Sequence, residues 1–581
     1  MEDGDVTTGG FSGWCALARA VAATGARSGK VASVAAYLRA LGPAELPIVV
    51  TFLTGRALPP TDPRTTGLGW AAIAAAAEAV AGVPPGSLGA AYDRSSDMGT
   101  AVRDLLAGAG HAPGGPPPTL GEVADAFGAI AAARGPAARG ALLAALLRRA
   151  DAQAAWGIVR ILTGDLRIGL RAGHVEAAIA AAFARPPAAV ARAAMLTGDL
   201  ARTAELARDD ALADARLALF VPVLPMLASP AADAADVFAR MPAPAWVEDK
   251  LDGIRAQLHV ADGRARIWSR DLRDVSDAFP EIVAAAGELG WDGILDGEIV
   301  GMRDGSVLPF HALQARLGRK APSDAVRAEV PVILVAFDLL AHGPGGGASV
   351  APLFDLPLRE RRARLDALAL DRVPGFGLTI VEHAADAAAL DAHFAAARAR
   401  GNEGLMVKDP ASAYMPGRRG IAWLKLKRPL ATLDCVVTGV ETGHGKRHGV
   451  LSDYTFAVRD DRPGAPDGRL VTIGKAYTGL TDAELAEMTR WFTDHTLSRH
   501  GRFRVVEPTV VVEIAFDVVM ASPRHASGFA LRFPRIVRIR TDKDAADADA
   551  LSAVAALHAG LAAAGRVRIR TTATEARDPA G

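Results

Sequence analysis

Glu248-Asp249-Lys250-Leu251-Asp252-Gly253-Ile254-Arg255 is the stretch on which the reading of this chain turns. A lysine followed at once by an Asp-Gly turn and an arginine suits attack on phosphorus. The ammonium loses a proton to become the nucleophile, while the neighbouring cation holds a nucleotide. Free lysine titrates near ~10.4, so a lysine that reacts at neutral pH needs burial or nearby positive charge, bound metal included. Alone, K-x-D-G-x-R is a short pattern, and a surface lysine before a hairpin turn explains it as well. The residues downstream separate the two readings.

Strands are expected over 256–260 and 265–269 about the Asp262-Gly263 turn, with Ser269-Arg270-Asp271 directly after them. Leu295-Asp296-Gly297-Glu298-Ile299 sets a carboxylate in an apolar strand expected over 294–301. A buried strand over 332–340 carries Phe337, whose ring offers a face to a base, next to Asp338. Glu403-Gly404-Leu405-Met406-Val407-Lys408 places a carboxylate and a lysine at the two ends of another strand. Trp423-Leu424-Lys425-Leu426-Lys427 alternates strictly, so Trp423, Lys425 and Lys427 share one face. Two lysines pointing the same way repel unless an anion lies between them, and a nucleoside triphosphate is such an anion. Glu298 and Glu403 are then the metal-side groups, because Mg²⁺ binds through one or two carboxylates plus substrate phosphates.

Working outward, 581 residues exceed what one hydrophobic core organises. Half the residues are apolar and 22% charged, which excludes a disordered chain. Lys+Arg and Asp+Glu number 65 each. That neutrality argues weakly against a nucleic-acid partner, since counterion release rewards a basic surface, but local patches rather than totals do the binding. Cys15 and Cys435 form no C-x-x-C, so neither a disulfide framework nor a zinc knuckle is expected. The acidic start, Met1-Glu2-Asp3-Gly4-Asp5, is unlike a secretory signal, and charge or proline breaks every long apolar run. A soluble cytoplasmic protein is expected.

Before about residue 215 the chain is alanine-rich with apolar residues at helical spacing, so an all-helical region is expected. Leu53-Thr54-Gly55, Leu162-Thr163-Gly164 and Leu196-Thr197-Gly198 each close an apolar stretch, where glycine suits a left-handed helix end. Such turns also present amides and arginines to phosphates, and Arg167 and Arg171, flanking Ile168-Gly169-Leu170, are the candidates. From 434 to about 540, five short strands interrupted by one helix over 482–493 suit a small closed barrel of the oligonucleotide-binding (OB) type. The last dozen residues read as an untethered tail.

The ordered series Lys-x-Asp-Gly-x-Arg, Ser-Arg, Asp-Gly-Glu, Phe-Asp, Glu-Gly-x-Met-x-Lys and Trp-Leu-Lys-x-Lys resembles the motifs of the covalent nucleotidyltransferase superfamily. Within it the resemblance is to ATP-dependent DNA ligases of the bacterial three-domain type. Leu531-Arg532-Phe533-Pro534-Arg535-Ile536-Val537-Arg538-Ile539-Arg540-Thr541-Asp542-Lys543 resembles their last motif, in an Arg-Phe-Pro-Arg form that RNA ligases and capping enzymes lack. The resemblance implies a multidomain fold: an all-α DNA-binding domain (1–215), an α+β, ATP-grasp-like nucleotidyltransferase core (216–428), an all-β OB-fold domain (429–568) and a disordered tail (569–581).

It further implies that Lys250 takes AMP from ATP as a phosphoramide and passes it to the 5′-phosphate of a nick, which the 3′-hydroxyl then seals, in repair, replication or recombination. Glu248 and Phe337 would hold the base, and Arg255 and Arg270 the ribose and phosphates. Arg419, with Arg418 as its near-equal, would contact ATP. Lys425 and Lys427 would neutralise the α-phosphate. Glu298 would touch nucleotide and metal, and Glu403 metal. Arg532, Arg535, Arg540 and Lys543 would serve either a DNA-backbone face or pyrophosphate departure, and Arg167 and Arg171 the DNA. The implied cofactors are ATP and Mg²⁺ or Mn²⁺. The implied partner is nicked duplex DNA of any sequence, met by a monomer in the cytoplasm near the nucleoid and away from membranes. Competing readings are an RNA ligase or guanylyl-transferring capping enzyme, and a catalytically dead DNA-binding scaffold. NAD as donor is disfavoured because NAD-dependent ligases carry a cysteine zinc module.

Overall fold

Alanine-rich segments with apolar residues at helical spacing fold as helices from Gly10–Ala23 to Leu200–Arg208. They enclose one core in which Phe11, Trp14, Phe52 and Phe127 pack ring to ring. The repeated Leu-Thr-Gly turns stop helices as expected: Gly55, Gly164 and Gly198 all take positive φ, a conformation that costs a side chain energy. Asp199 goes on to cap the next helix through the Ala201 amide at 2.8 Å.

This is a computed structural model that describes residues 10–572, apart from 63, 318–320, 348–349, 401, 418, 429–430, 444–446, 448 and 563–567. It divides into two compact units, Met1–Leu224 and Pro225–Gly581. The helical region is the first. No described helix is long and apolar enough to cross a membrane.

Two sheets build the first half of the second unit. One has the order Leu227–Ala231, Arg419–Leu426, Leu405–Lys408, Ala245–Asp249, Glu382–Ala384. Strand alternation sends Val247, Leu405, Val407, Leu424 and Leu426 to one face, where they pack against the helices Ala234–Arg240 and Ala387–Ala399. The opposite face carries the polar residues of the site. The other sheet runs Phe376–Thr379, Val332–Gly343, Asp292–Arg303, Ile254–Ala261, Arg264–Ser269. Its core face is covered by Pro280–Gly287 and Leu358–Ala367. The expected hairpin is present: Asp262 and Gly263 both have positive φ, the two-residue turn whose twist matches antiparallel strands.

The C-terminal half is β-rich around the long strand Ala431–Thr442, which pairs with Leu451–Arg459, Phe503–Val506 and Val511–Phe516. Seven strands join this sheet, and Val518–Ala521 with Phe529–Arg532 makes a separate ribbon, where five strands were expected. The missed hairpin Thr496–His500/Phe503–Val506 is mostly polar, so no apolar alternation announces it. The helix Asp482–Asp494 starts at Thr481 through a reciprocal capping box with Glu484.

The untethered tail needs a correction at its start. Ile569–Arg570 pairs antiparallel with Phe376–Thr379. Ile569 is buried with Leu251, Val300, Met302, Ile333 and Val335, and Arg570 pairs with Asp366. An edge strand offers unpaired amides and carbonyls that a two-residue extension satisfies. Residues 573–581 lie outside the described residues. Replacing Ile569 by alanine leaves a cavity beneath Leu251 and is expected to cost about 2–4 kcal/mol in urea unfolding; a loss under about 0.5 kcal/mol would mean that this strand does not hold.

Candidate active site

The polar faces of the two sheets line a cavity of about 760 Å³. Glu248, Lys250, Arg255, Arg270, Glu298, Phe337, Glu403, Arg419, Lys425, Lys427 and Arg532 all line it, so every residue expected at the nucleotide or metal does so. Arg418 lies outside the described residues.

Lys250 follows the Ala245–Asp249 strand, and its amide donates to Gly404 O at 2.9 Å. Its ammonium donates to Glu403 Oε2. Gly253 is required where it stands, because a Cβ there would collide with Ile299 O and Glu298 Cγ. Its amide donates to Glu298 Oε1 at 3.2 Å. The loop after Lys250 is therefore pressed against the Glu298 strand.

The two acidic residues differ from each other. Burial alone would raise the Glu403 pKa, but Lys250 and Lys427 hold it down at about 2. Lys427 Nζ lies 2.6 Å from Glu403 Oε2. Glu403, expected on the metal side, is thus a bridge between two ammonium groups. Glu298 is pushed up to about 7 by burial, which outweighs Lys250 and Arg255. A buried oxygen donor lining a phosphate-sized cavity fits a divalent cation, whose charge would keep it ionised. Among the described residues no group of three or more His, Cys, Asp or Glu converges. Such a cation would draw most of its ligands from phosphate and water.

At one end of the cavity cations predominate, with Glu403 between Lys250 and Lys427. Burial lowers the Lys425 pKa, and Lys427, Arg419, Lys250 and Arg270 lower it further by repulsion. Glu403 offsets Lys250 and Lys427, and Lys425, Arg419 and Arg270 leave an excess of positive charge that suits an anionic ligand. At the other end, the rings of Phe337 and Trp423 meet edge to face at 6.0 Å. Lys408, quoted in its motif but given no role from sequence, reaches between them to Glu248 Oε2 at 2.8 Å. Its alternation with Met406 was the available signal.

Arg255, expected on the nucleotide, also grips Asp296 with two bonds of 3.1 and 2.7 Å, and Tyr414 donates to the same carboxylate at 2.7 Å. Beneath Phe337, Asp338 accepts two 2.8 Å bonds from Arg361, both side chains fully buried. This fixes the strand that presents the ring.

The last motif divides. Arg532 reaches the cavity, pairs with Asp252 and lies over Phe310 at 4.4 Å. Arg535 binds Asp517 at 3.1 Å, close to Lys427, which is 3.8 Å from the same carboxylate. Arg540 and Lys543 lie away from the cavity, where both hold Asp434, at 2.8 and 2.6 Å. Asp434 sits early on Ala431–Thr442, a partner that no local pattern reveals. In the helical unit Arg167 is held by Asp165 at 2.7 Å and donates to Ser96 O at 2.8 Å, while Arg171 is exposed at the start of Ala172–Ala182.

Comparison with known proteins places these features in one family. Residues 225–427 match the family model of the ATP dependent DNA ligase domain. Residues 10–180 match the DNA ligase N terminus, and 447–543 the ATP dependent DNA ligase C terminal region. A probable DNA ligase of Koribacter versatilis is 47% identical over 92% of this chain and 94% of its own length. Another, from Opitutus terrae, is 44% identical over 96% of this chain, which spans 63% of that relative. A DNA ligase of Haloarcula marismortui is 36% identical over 94% of this chain and 98% of its own. The solved structure "Pmar-Lig_Pre." shares the fold at a TM-score of 0.58 and 17% identity, over 91% of this chain and 99% of that one. With a lysine-centred, cation-lined cavity between two sheets and matches along nearly its whole length, the chain belongs to the ATP-dependent DNA ligase family, enzymes that use ATP and a divalent metal to seal nicks in DNA.

Proposed function

We propose that this chain seals 5′-phosphate/3′-hydroxyl nicks in duplex DNA through a lysyl-AMP intermediate on Lys250. The observation that carries the reading is the cavity itself. It has Lys425, Lys427, Arg419 and Arg270 at one end, Glu248 with the rings of Phe337 and Trp423 opposite, and Lys250 beside the buried carboxylates of Glu403 and Glu298.

Lys250 Nζ, its proton released to solvent, forms a bond to the α-phosphorus of ATP as the bond from that phosphorus to the bridging oxygen breaks and pyrophosphate leaves. Lys425, Lys427, Arg419 and Arg270 hold the phosphates and neutralise charge as it develops. Glu248 and Phe337 hold the adenine, and Arg255 supports the ribose side. Glu298 is the metal-side carboxylate. Glu298 would hold a divalent cation there, which would supply positive charge to offset that of the phosphates. Glu403 positions Lys250 and Lys427, and joins the metal only if a lysine releases it. Arg532 brings the C-terminal segment over the cavity beside Asp252.

The β-rich segment from about 429 to 568 is read as an OB-fold domain, following the domain over 216–428. The helical region to about 215 is read as the DNA-binding domain, with Arg171 at the backbone and Arg167 ordering its loop. Arg540 and Lys543 serve DNA or pyrophosphate only in an arrangement that frees them from Asp434. Phosphate contacts do not read sequence, so any nicked duplex should serve. The protein is taken to act as a monomer in the cytoplasm, near the nucleoid.

The test is sealing of a labelled nicked duplex with ATP and Mg²⁺, beside GTP, a nicked RNA duplex and excess EDTA. Sealing of DNA with ATP, lost on chelation, is expected. Transfer from GTP, or sealing of RNA alone, would replace this reading with a capping enzyme or RNA ligase.

A further inference from the structure

We propose that Lys408 is the positioning residue for purine recognition: its ammonium, wedged between Phe337 and Trp423, aims the Glu248 carboxylate at the 6-amino group of the adenine of ATP. This rests on the ATP-site reading above and says how that site distinguishes adenine from other purines.

Strand register brings the group together. Leu405–Lys408 lies between Ala245–Asp249 and Arg419–Leu426, with Lys408 opposite Trp246 and Trp423, and Met406 opposite Glu248 and Lys425. Alternation puts Glu248, Met406, Lys408, Trp423 and Lys425 on the cavity face. A long side chain reaches a diagonal neighbour across such strands. Lys408 does so, with Nζ 2.8 Å from Glu248 Oε2.

The pair is out of water, Lys408 being 1% and Glu248 3% exposed. Charges in such a place cost much unless each has its partner, and an apolar residue would wall the cavity at lower cost. What the ammonium adds is direction. It lies 4.6 Å from the centroids of both Phe337 and Trp423, so two ring faces fix it laterally. Anchored there, it binds Oε2 of Glu248 and leaves Oε1 as the acceptor offered to a ligand. Adenine presents N–H donors at its 6-position. Guanine and hypoxanthine present a carbonyl oxygen, whose lone pairs face the carboxylate. A site built to accept a hydrogen bond rejects a ligand that cannot donate one.

The test compares self-adenylation by wild type, Lys408→Met and Lys408→Arg, using ATP and the triphosphate of purine riboside, which lacks the 6-amino group. Wild type should prefer ATP about tenfold or more in kcat/KM, the range of a hydrogen bond to a charged group. Lys408→Met should raise KM for ATP until that ratio falls towards one, with kcat within about threefold. Lys408→Arg should restore most of the ratio. In a Glu248→Gln background, Lys408→Met should cause no further loss, because it acts through that carboxylate. A Lys408→Met protein with the wild-type melting temperature and an unchanged ratio would overturn the proposal. Lys408→Gln, similar in length, takes its place with the same two outcomes if Lys408→Met unfolds. Wild type that takes no label from ATP would instead overturn the ATP-site reading.

Discussion

Lys250→Ala is expected to abolish covalent labelling by α-labelled ATP and to lower nick sealing by on the order of 10⁴ or more. The side chain is 22% exposed and lines the cavity rather than the core, so its loss leaves packing intact. The Lys250 amide still bonds Gly404 O, so the loop keeps its place. Glu403 keeps Lys427 as a partner and is not left as an unpaired buried charge. The melting temperature should therefore stay near wild type while the first chemical step disappears. On the proposed role of Lys250 as carrier of AMP alone, the variant should still seal a nick already bearing 5′-AMP, within about tenfold of wild type. Lys425 and Lys427 stand in the same cavity, so a labelled band persisting in Lys250→Ala would move the nucleophile to one of them.

Lys425→Ala is expected to slow self-adenylation by about 10²–10³-fold, as for loss of one preorganised charge at a reacting centre. Burial lowers the Lys425 pKa, and repulsion from Lys427, Arg419, Lys250 and Arg270 lowers it further. Removing it relieves that repulsion. Stability should stay level or rise while the rate falls, a combination that a structural lysine would not give. Single-turnover labelling beside a thermal melt reads both. A rate within about twofold of wild type would return Lys425 to a solvated strand face.

The site was legible wherever recognition depends on neighbours in the chain. Alternation alone puts Trp423 and Lys425 on one face, and the structure lines the cavity with both and with Lys427. The Asp-Gly turns, the Leu-Thr-Gly helix ends and the capped helix at Asp482–Asp494 are local as well, set by φ preference and capping hydrogen bonds. The OB-like region was less legible. Its mostly polar hairpin over 496–506 has no apolar alternation, because much of it faces solvent.

By itself, the sequence determined the helical first unit, the alternating strands of the second and the residues that could meet around Lys250. Only the tertiary structure decided how their charges are shared. Glu403 goes to Lys250, 153 residues away, and to Lys427, which leaves Glu298 as the carboxylate proposed for the metal. Glu248 goes to Lys408, 160 residues away. Asp434 takes Arg540 and Lys543 from the cavity, and Ile569 turns a supposed tail into a strand. The physical reason is range. Propensity, capping and alternation act within a few residues, whereas an ion pair's partner depends on which strands lie side by side and on how much water their packing removes.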